Sequence, residues 1–474
     1  MKKTYVIFAA TILSLFLLTG CDKKPLPAEV SPSAAPETAA PSAEPTNSAA
    51  LPEETPTVSL LGTEKLGNLS GNIQSGGFAL EKDGDIYFIK SNSIHRIAKG
   101  ENKAATIFEG VPSSERAMAS GSKSTVKSLN FYNGRLFFVA ETGRRDAGKV
   151  SGQDFLYEAV YSCKPDGTDL KTELSERPCG GILTAETSGG TAQLSASAAY
   201  ENFTIINGYM YYITSGTAKA PIKYTSNPAV TSSSAPIRVS YSRPTQLCRA
   251  KIGGKEEIVV ADMGNKLSFF TTDGEKLCYL EMLFNPFYSP YDHVALYVSD
   301  LDGKNPICVY GGPSDTPLSE DFYTDRSGTT AFIAGMQIAG DKVYLSMRDS
   351  QGDFPDGRLC AVPTSGALGA PLELVAEAGK VKSLVANDQI FYIGGVRNSD
   401  GAFTETSLHL LTLNAEGGHN TDTVIEKSAS PADTYSLNRE INLCGNRIFS
   451  RETSFDGSEK ITSIKTDGSD SREY

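Results

Sequence analysis

The stretch Asn207-Gly208-Tyr209-Met210-Tyr211-Tyr212-Ile213 decides the fold of this chain. Asn-Gly is the pair that a tight hairpin turn favours, because both central residues of a type I′ turn need positive φ. The aromatic and β-branched run behind it fits a pleated, half-buried strand. The pattern recurs at Asp83-Gly84 before Asp85–Ile89, at Asn133-Gly134 before Arg135–Val139 and at Asp273-Gly274 before Glu275–Tyr279. It returns at Gly340-Asp341 before Lys342–Leu345, at Asn387-Asp388 before Gln389–Ile393 and at Gly445-Asn446 before Arg447–Phe449. Most of these turns follow an apolar run. Each therefore marks a β-hairpin, and there are seven.

A second signature follows each hairpin, a strand closed by a polar glycine turn. It reads Cys163-Lys164-Pro165-Asp166-Gly167-Thr168-Asp169, then Asp300-Leu301-Asp302-Gly303-Lys304-Asn305, then Lys465-Thr466-Asp467-Gly468-Ser469-Asp470. Variants are Ala98-Lys99-Gly100, Ile252-Gly253-Gly254, Thr364-Ser365-Gly366 and Ala415-Glu416-Gly417. A further apolar stretch comes next, as at Glu257-Ile258-Val259-Val260. Each unit supplies about four antiparallel strands, which is one propeller blade. The chain is read as all-β, a β-propeller of seven four-stranded blades; six or eight is the alternative, through a miscounted end.

Residues Gly76-Gly77-Phe78-Ala79-Leu80 through Ile94-His95-Arg96-Ile97 resemble bacterial β-propeller domains of unknown function. Those domains are compared with low-density-lipoprotein-receptor-related proteins and are common on surface lipoproteins. The Asp-Gly-x-Asn turns are similar to TolB-type repeats. The resemblance covers most of residues 70 to 474 and implies the fold. The receptor propellers carry a Tyr-Trp-Thr-Asp signature, and this chain has no Trp, so no binding residue is carried over.

The N-terminus reads as an export signal. Lys2-Lys3 precedes an apolar run from Tyr5 to Leu18, and Leu18-Thr19-Gly20-Cys21 follows. The run is shorter than the roughly 18 to 20 residues that cross a bilayer, so a permanent membrane helix is the weaker reading. Leu18–Cys21 resembles the lipobox of bacterial lipoproteins, which implies diacylglycerol transfer to the Cys21 thiol and cleavage before it. Two acyl chains make attachment effectively stable where one does not. The alternative is an ordinary signal with a chance cysteine. Residues 22 to 57 are mostly Pro, Ala, Ser, Thr and Glu, too poor in large apolar groups to offset the entropy of ordering. The expected organisation is a signal peptide over 1–20, lipidated Cys21 with a disordered stalk to 57, and a propeller over 58–474. That places the chain on the extracytoplasmic side of the cell membrane, held by lipid.

The formal charge of −12 argues against nucleic acid as a partner. Setting Cys21 aside leaves an odd number of cysteines, several inside strand-like runs (Cys248, Cys278, Cys308, Cys360). Buried cysteine behaves as a small hydrophobe, which is the favoured reading. Cys163 and Cys179 could pair, and the sequence leaves that open. No Cys-x-x-Cys pair, phosphate-cradling glycine loop, His-Glu-x-x-His or Gly-x-Ser-x-Gly is present, so no cofactor, metal or catalytic residue is assigned. Asp300-x-Asp302-Gly303 has part of a calcium loop but lacks its later acidic ligand; it reads as a turn.

Function is expected on one face. In a four-stranded blade the first and third turns share a face, and here the first turns and most of the third are short. The second turns and the links between blades share the other face, and they look long: Ala140–Asp154, Thr214–Thr245, Phe284–His293 and Glu176–Glu201 among them. Long loops on a rigid scaffold usually mean binding or disorder. The candidate ligand-binding loop is Phe284, Phe287, Tyr288, Tyr291 and His293, whose rings could stack on sugar or grip a peptide or simply plug the loop. Arg144 and Arg145 could meet an anionic partner. The favoured expectation is a monomeric, non-catalytic binding or scaffold module, not an enzyme, that meets an extracellular protein, peptide or glycan. The alternative is a polysaccharide hydrolase or lyase with carboxylates near the channel.

Overall fold

The computed structural model describes residues 65–110, 125–146, 154–179, 182–187, 190–195, 199–215, 245–263, 269–285, 289–311, 331–349, 358–366, 373–376, 383–386, 389–397, 403–412, 421–428, 439–453 and 458–474. Cys21 and the Pro/Ala/Ser/Glu-rich stretch lie outside them. Among the described residues no helix is long and apolar enough to cross a membrane.

Seven four-stranded antiparallel sheets follow one another in chain order. Blade 1 is β1 (Ala79–Lys82), β2 (Asp85–Lys90), β3 (Ser93–Ile97) and β4 (Ala104–Phe108). Blade 2 is β5 (Val126–Tyr132), β6 (Arg135–Asp146), β7 (Asp154–Cys163) and β8 (Lys171–Cys179). A separate hairpin, β9 (Ile182–Thr187) with β10 (Gly190–Ser195), stands before blade 3. Blade 3 is β11 (Glu201–Ile206), β12 (Tyr209–Ser215), β13 (Thr245–Lys251) and β14 (Glu257–Asp262). Blade 4 is β15 (Phe270–Thr272), β16 (Lys276–Asn285), β17 (Ser289–Asp300) and β18 (Ile307–Gly311). Blade 5 is β19 (Ala331–Ala339), β20 (Lys342–Asp349), β21 (Arg358–Pro363) and β22 (Glu373–Ala376). Blade 6 is β23 (Ser383–Ala386), β24 (Gln389–Arg397), β25 (Phe403–Thr412) and β26 (Thr421–Ser428). Blade 7 is β27 (Glu440–Cys444), β28 (Arg447–Thr453), β29 (Glu459–Lys465) and β30 (Arg472–Glu473). The seven-blade expectation is met.

The turn chemistry is what the hairpin reading requires. Asp83 and Gly84 have φ of 56° and 92°, Asn133 and Gly134 have 47° and 74°, and Asn207 and Gly208 have 49° and 79°. These are type I′ turns. The third turns repeat as well. In blades 2, 4 and 7 the Asp carboxylate accepts from the backbone N–H two residues on, as Asp166 does from Thr168 at 2.9 Å and Asp467 from Ser469 at 2.8 Å. Asp302 does the same for Lys304, so Asp300–Gly303 is a turn of the ring.

The blades are joined by buried amides. On β5 Asn130 accepts from the Ile205 N–H of β11 at 3.0 Å, and on β27 Asn442 accepts from the Ala79 N–H of β1 at 2.8 Å. On β19 Gln337 accepts from the Val385 N–H of β23. Among the described residues the first and last blades share no strand. They meet through Asn442, through Phe88 tilted against Phe449 and Tyr474, and through a bond from Ser91 N–H to Glu459.

The channel is not open. Residues 65–77, including the one-turn helix α1 (Ser70–Gln74), run through it. Lys65 and Gly67 bond to Asn207 and Ile205 of blade 3, and Gly67 also accepts from Phe131 of blade 2. Ser70 bonds Thr271 of blade 4 at 2.6 Å. Asn72 bonds Leu443 of blade 7, while α1 packs on β19 and β23 of blades 5 and 6. Space for this segment is tight: a Cβ on Gly71 would sit 2.9 Å from both Gln337 Oε1 and Leu384 Cγ.

Several loops expected from the sequence are ladder instead. β6 and β7 stay paired out to Asp146 and Asp154, β16 and β17 to Asn285 and Ser289, and β24 and β25 to Arg397 and Phe403. Glu176–Glu201 holds the end of β8 and the β9–β10 hairpin. Pro290, inside the expected loop Phe284–His293, stands near the start of β17, where the missing N–H costs little.

Candidate functional site

The wide face of the ring, where β5, β11 and β27 begin, carries a cleft of about 570 Å³ beside the channel segment. Its floor is Ile73, Gln74 and Gly76. Its walls come from blades 1, 2, 3 and 7.

Two wall strands are bulged at the cleft. The β5–β6 register slips between Lys127 and Asn130, and the β11–β12 register between Glu201 and Thr204. The inserted residues are in the left-handed region, Ser128 at φ 58° and Asn202 at φ 51°. Gly77, at φ 54°, opens the matching stretch of blade 1. Phe78, Leu129 and Phe203 follow these three residues and are fully buried. The apolar residue is thus driven into the core while its neighbour is turned toward the mouth. A left-handed non-glycine costs of order 1–2 kcal/mol, and such outliers cluster at functional sites.

Lys127 holds two carboxylates, Glu158 at 2.9 Å and Glu201 at 2.6 Å. Burial pulls its ammonium down, but Glu158 and Glu201 outweigh that and hold it above the ordinary lysine value. Burial pushes the Glu158 carboxyl up against the opposing pull of Lys127. Across the cleft Arg451 binds Glu440 through Nε at 2.7 Å and through Nη2, and lies over the Phe78 ring. Glu459 accepts from Ser91 N–H at 2.5 Å. Three glutamates therefore line the cleft, each with one oxygen held by protein. The Asn202 Nδ2 is shielded from solvent and has no partner.

The residues singled out from sequence lie elsewhere on this face. Arg144 and Arg145 are on β6, opposite Leu156 and Phe155. Phe284 is on β16, and Tyr291 and His293 are on β17, with His293 opposite Leu283. They belong to a β-ribbon, and Phe287 and Tyr288 lie outside the described residues. Sequence reasoning missed Lys127, Glu201, Asn202, Glu440, Arg451 and Glu459. The one signal was the shared polar-polar-apolar-polar run, Lys127-Ser128-Leu129-Asn130, Glu201-Asn202-Phe203-Thr204 and Arg439-Glu440-Ile441-Asn442.

The cysteines are thiols. Cys163 and Cys179 are both buried and unpaired, in different packing clusters. Burial pushes the Cys163 thiol up to about 11.

No family model and no curated protein matches this chain. Solved structures do. One from a study of two prolyl endopeptidases has 10% identity over 85% of this chain, with a TM-score of 0.45. The chain spans about half the length of that protein, 51%. The β-propeller domain of the Trilobed protease from Pyrococcus furiosus, described as having an open velcro topology, has 9% identity and a TM-score of 0.40. The chain covers 97% of it, with 84% of its own length. An ulvan lyase has 10% identity and a TM-score of 0.43, over 86% of this chain and 96% of that one. At these identities the likeness concerns fold alone. It corrects one expectation: these neighbours are enzymes or enzyme domains, so the reading of the chain as not an enzyme is withdrawn.

Proposed function

We propose that this chain is an extracytoplasmic lipoprotein whose propeller holds a ligand in the cleft of its wide face. The lipobox-like Leu18–Cys21 and the resemblance to propellers of surface lipoproteins support the address. The observation that carries the binding reading is the opposition of the two faces. Lys65, where the described chain begins, bonds Asn207 and Glu275 beside the short first turns of blades 3 and 4. The cleft and the lengthened ribbons of blades 2, 4 and 6 are at the opposite end of the channel. The described chain thus enters the ring at its short-turn face and leaves the cleft open at the other.

The test uses full-length protein in a supported bilayer, exposed to cell-surface extract. Thr453→Trp, which fills the cleft, is expected to abolish capture. Lys304→Glu, on the short-turn face, is expected to leave it intact. Equal capture by both variants would end this reading.

The convergence of Glu201, Glu440 and Glu459 on one cleft supports a second reading, in which a bound polysaccharide is also cleaved. Release of new sugar ends by the wild-type protein, lost in Glu201→Gln, would establish it; no release from any captured polysaccharide would dismiss it.

A further inference from the structure

Resting on the cleft as the binding surface, we propose that its ligand is a neutral sugar chain, recognised through hydroxyl groups by Asn202, Glu201 and Glu459.

The argument is an accounting of donors and acceptors. Both cations among the described residues of the cleft are spoken for: Lys127 by Glu158 and Glu201, Arg451 by Glu440. Neither is left to neutralise an anion. The glutamates are in the opposite condition. Glu201 uses Oε1 on Lys127, Glu440 uses Oε2 on Arg451, and Glu459 uses Oε2 on Ser91. Their second oxygens have no protein partner among the described residues and call for donors. The ligand must therefore give hydrogen bonds without bringing negative charge. Among the described residues a uronate or sulfate would meet three carboxylates and no free cation.

Asn202 adds the complementary group. Its Nδ2 is a donor without an acceptor, a state that costs about 1–3 kcal/mol. Rotation about χ2 would offer it to a sugar oxygen. A site that both accepts and donates suits a hydroxyl, which does both. Gln74 on the floor has its nitrogen bonded to Phe270 O, which fixes the amide. The volume of about 570 Å³ lies in the usual range for a small-ligand site and admits a short segment of the chain.

Two substitutions isolate the chemistry without disturbing the fold. Asn202→Gly suits the backbone, since φ is 51°, and removes only the amide. Glu459→Gln can keep the Ser91 bond through its amide oxygen and turns the second acceptor into a donor. Full-length protein is titrated calorimetrically with neutral oligosaccharides and with uronate- and sulfate-bearing ones. Neutral chains are expected to bind, anionic ones at least roughly tenfold more weakly, and each variant to lose roughly tenfold, with unfolding midpoints no lower than that of the wild type. Anionic chains binding as well as neutral ones would overturn the inference. A peptide bound in their place, and lost in Asn202→Gly, would overturn the ligand class while keeping the cleft. Neutral chains bound equally by wild type and both variants would remove the cleft itself.

Discussion

Asn72 satisfies both peptide groups of Leu443. Its Oδ1 accepts from the Leu443 N–H at 2.7 Å, and its Nδ2 donates to the Leu443 carbonyl at 2.9 Å. A single side chain thus plays the part of a neighbouring strand on the inner edge of blade 7. Asn72 is fully buried and also donates to Asn68, which in turn donates to Leu129 of blade 2 at 2.8 Å. Among the described residues the first and last blades share no strand, so this chain of amides helps close the ring. Asn72→Ala would leave a buried N–H and C=O unpaired, at about 1–3 kcal/mol each. A loss of roughly 2–5 kcal/mol in denaturant unfolding is expected. A loss below about 1 kcal/mol would mean the ring closes without it.

The glycines of the third turns answer to the neighbouring blade as well as to φ. A Cβ on Gly167 would stand 1.7 Å from the Ile107 carbonyl oxygen of β4, and one on Gly303 would stand 2.3 Å from that of Val260 on β14. Gly100 has a similar φ, 80° against 83° for Gly167, with nothing within 4 Å. Gly100→Ala therefore measures the backbone penalty alone, about 1–2 kcal/mol. Gly167→Ala is expected to exceed it by a further 1–3 kcal/mol or so, the usual cost of overpacking. Equal losses, measured by urea unfolding, would show that the blades separate freely at that contact.

These particulars mark what could be read from the chain beforehand. The hairpins were legible because Asn207-Gly208 and its relatives need positive φ, and few residue pairs supply it twice. The blades were legible because the Asp-Gly turns repeat at the right distance behind them. The channel segment was not. Gly67-Asn68-Leu69-Ser70-Gly71-Asn72 has no period of 2 or 3.6, and its partners, from Leu129 to Leu443, are remote in sequence. The ribbon ends were misread because Phe284–His293 mixes aromatics with prolines, a composition that serves a loop or the tip of a ladder equally. The cleft was hidden for a related reason. Its groups come from four blades, and the bulges that aim Ser128 and Asn202 are invisible until the register is known.

The thiols offer a direct test of the core. All seven described cysteines are unpaired, and all but Cys308 are buried. Burial pushes Cys163 up to about 11, Cys248 up to about 12 and Cys444 well above the ordinary thiol value. Since the thiolate is the reactive form, native protein at pH 8 should react slowly with a disulfide reagent, Cys308 first. All seven should react in denaturant. Two missing thiols there would reveal a Cys163–Cys179 bond.

Asp470 gives the ring an acid limit. Arg472 holds its carboxylate at 2.5 and 2.9 Å and Arg447 at 2.8 Å, and together, Arg472 first, they pull its pKa from 3.8 to about 2. A carboxyl depressed in the folded state binds its proton first in the unfolded one. Its contribution is complete above about pH 4 and is lost as pH falls through about 2. Asp470→Asn should lower the thermal midpoint at neutral pH and flatten its fall between pH 4 and 2, so that the two curves converge at the acid end. The same clasp exists in blade 2, where Arg135 holds Asp169 at 2.7 Å and lowers its pKa, so some acid dependence should survive the substitution. Curves that stay parallel down to pH 2 would mean that Asp470 carries no charge-linked stability.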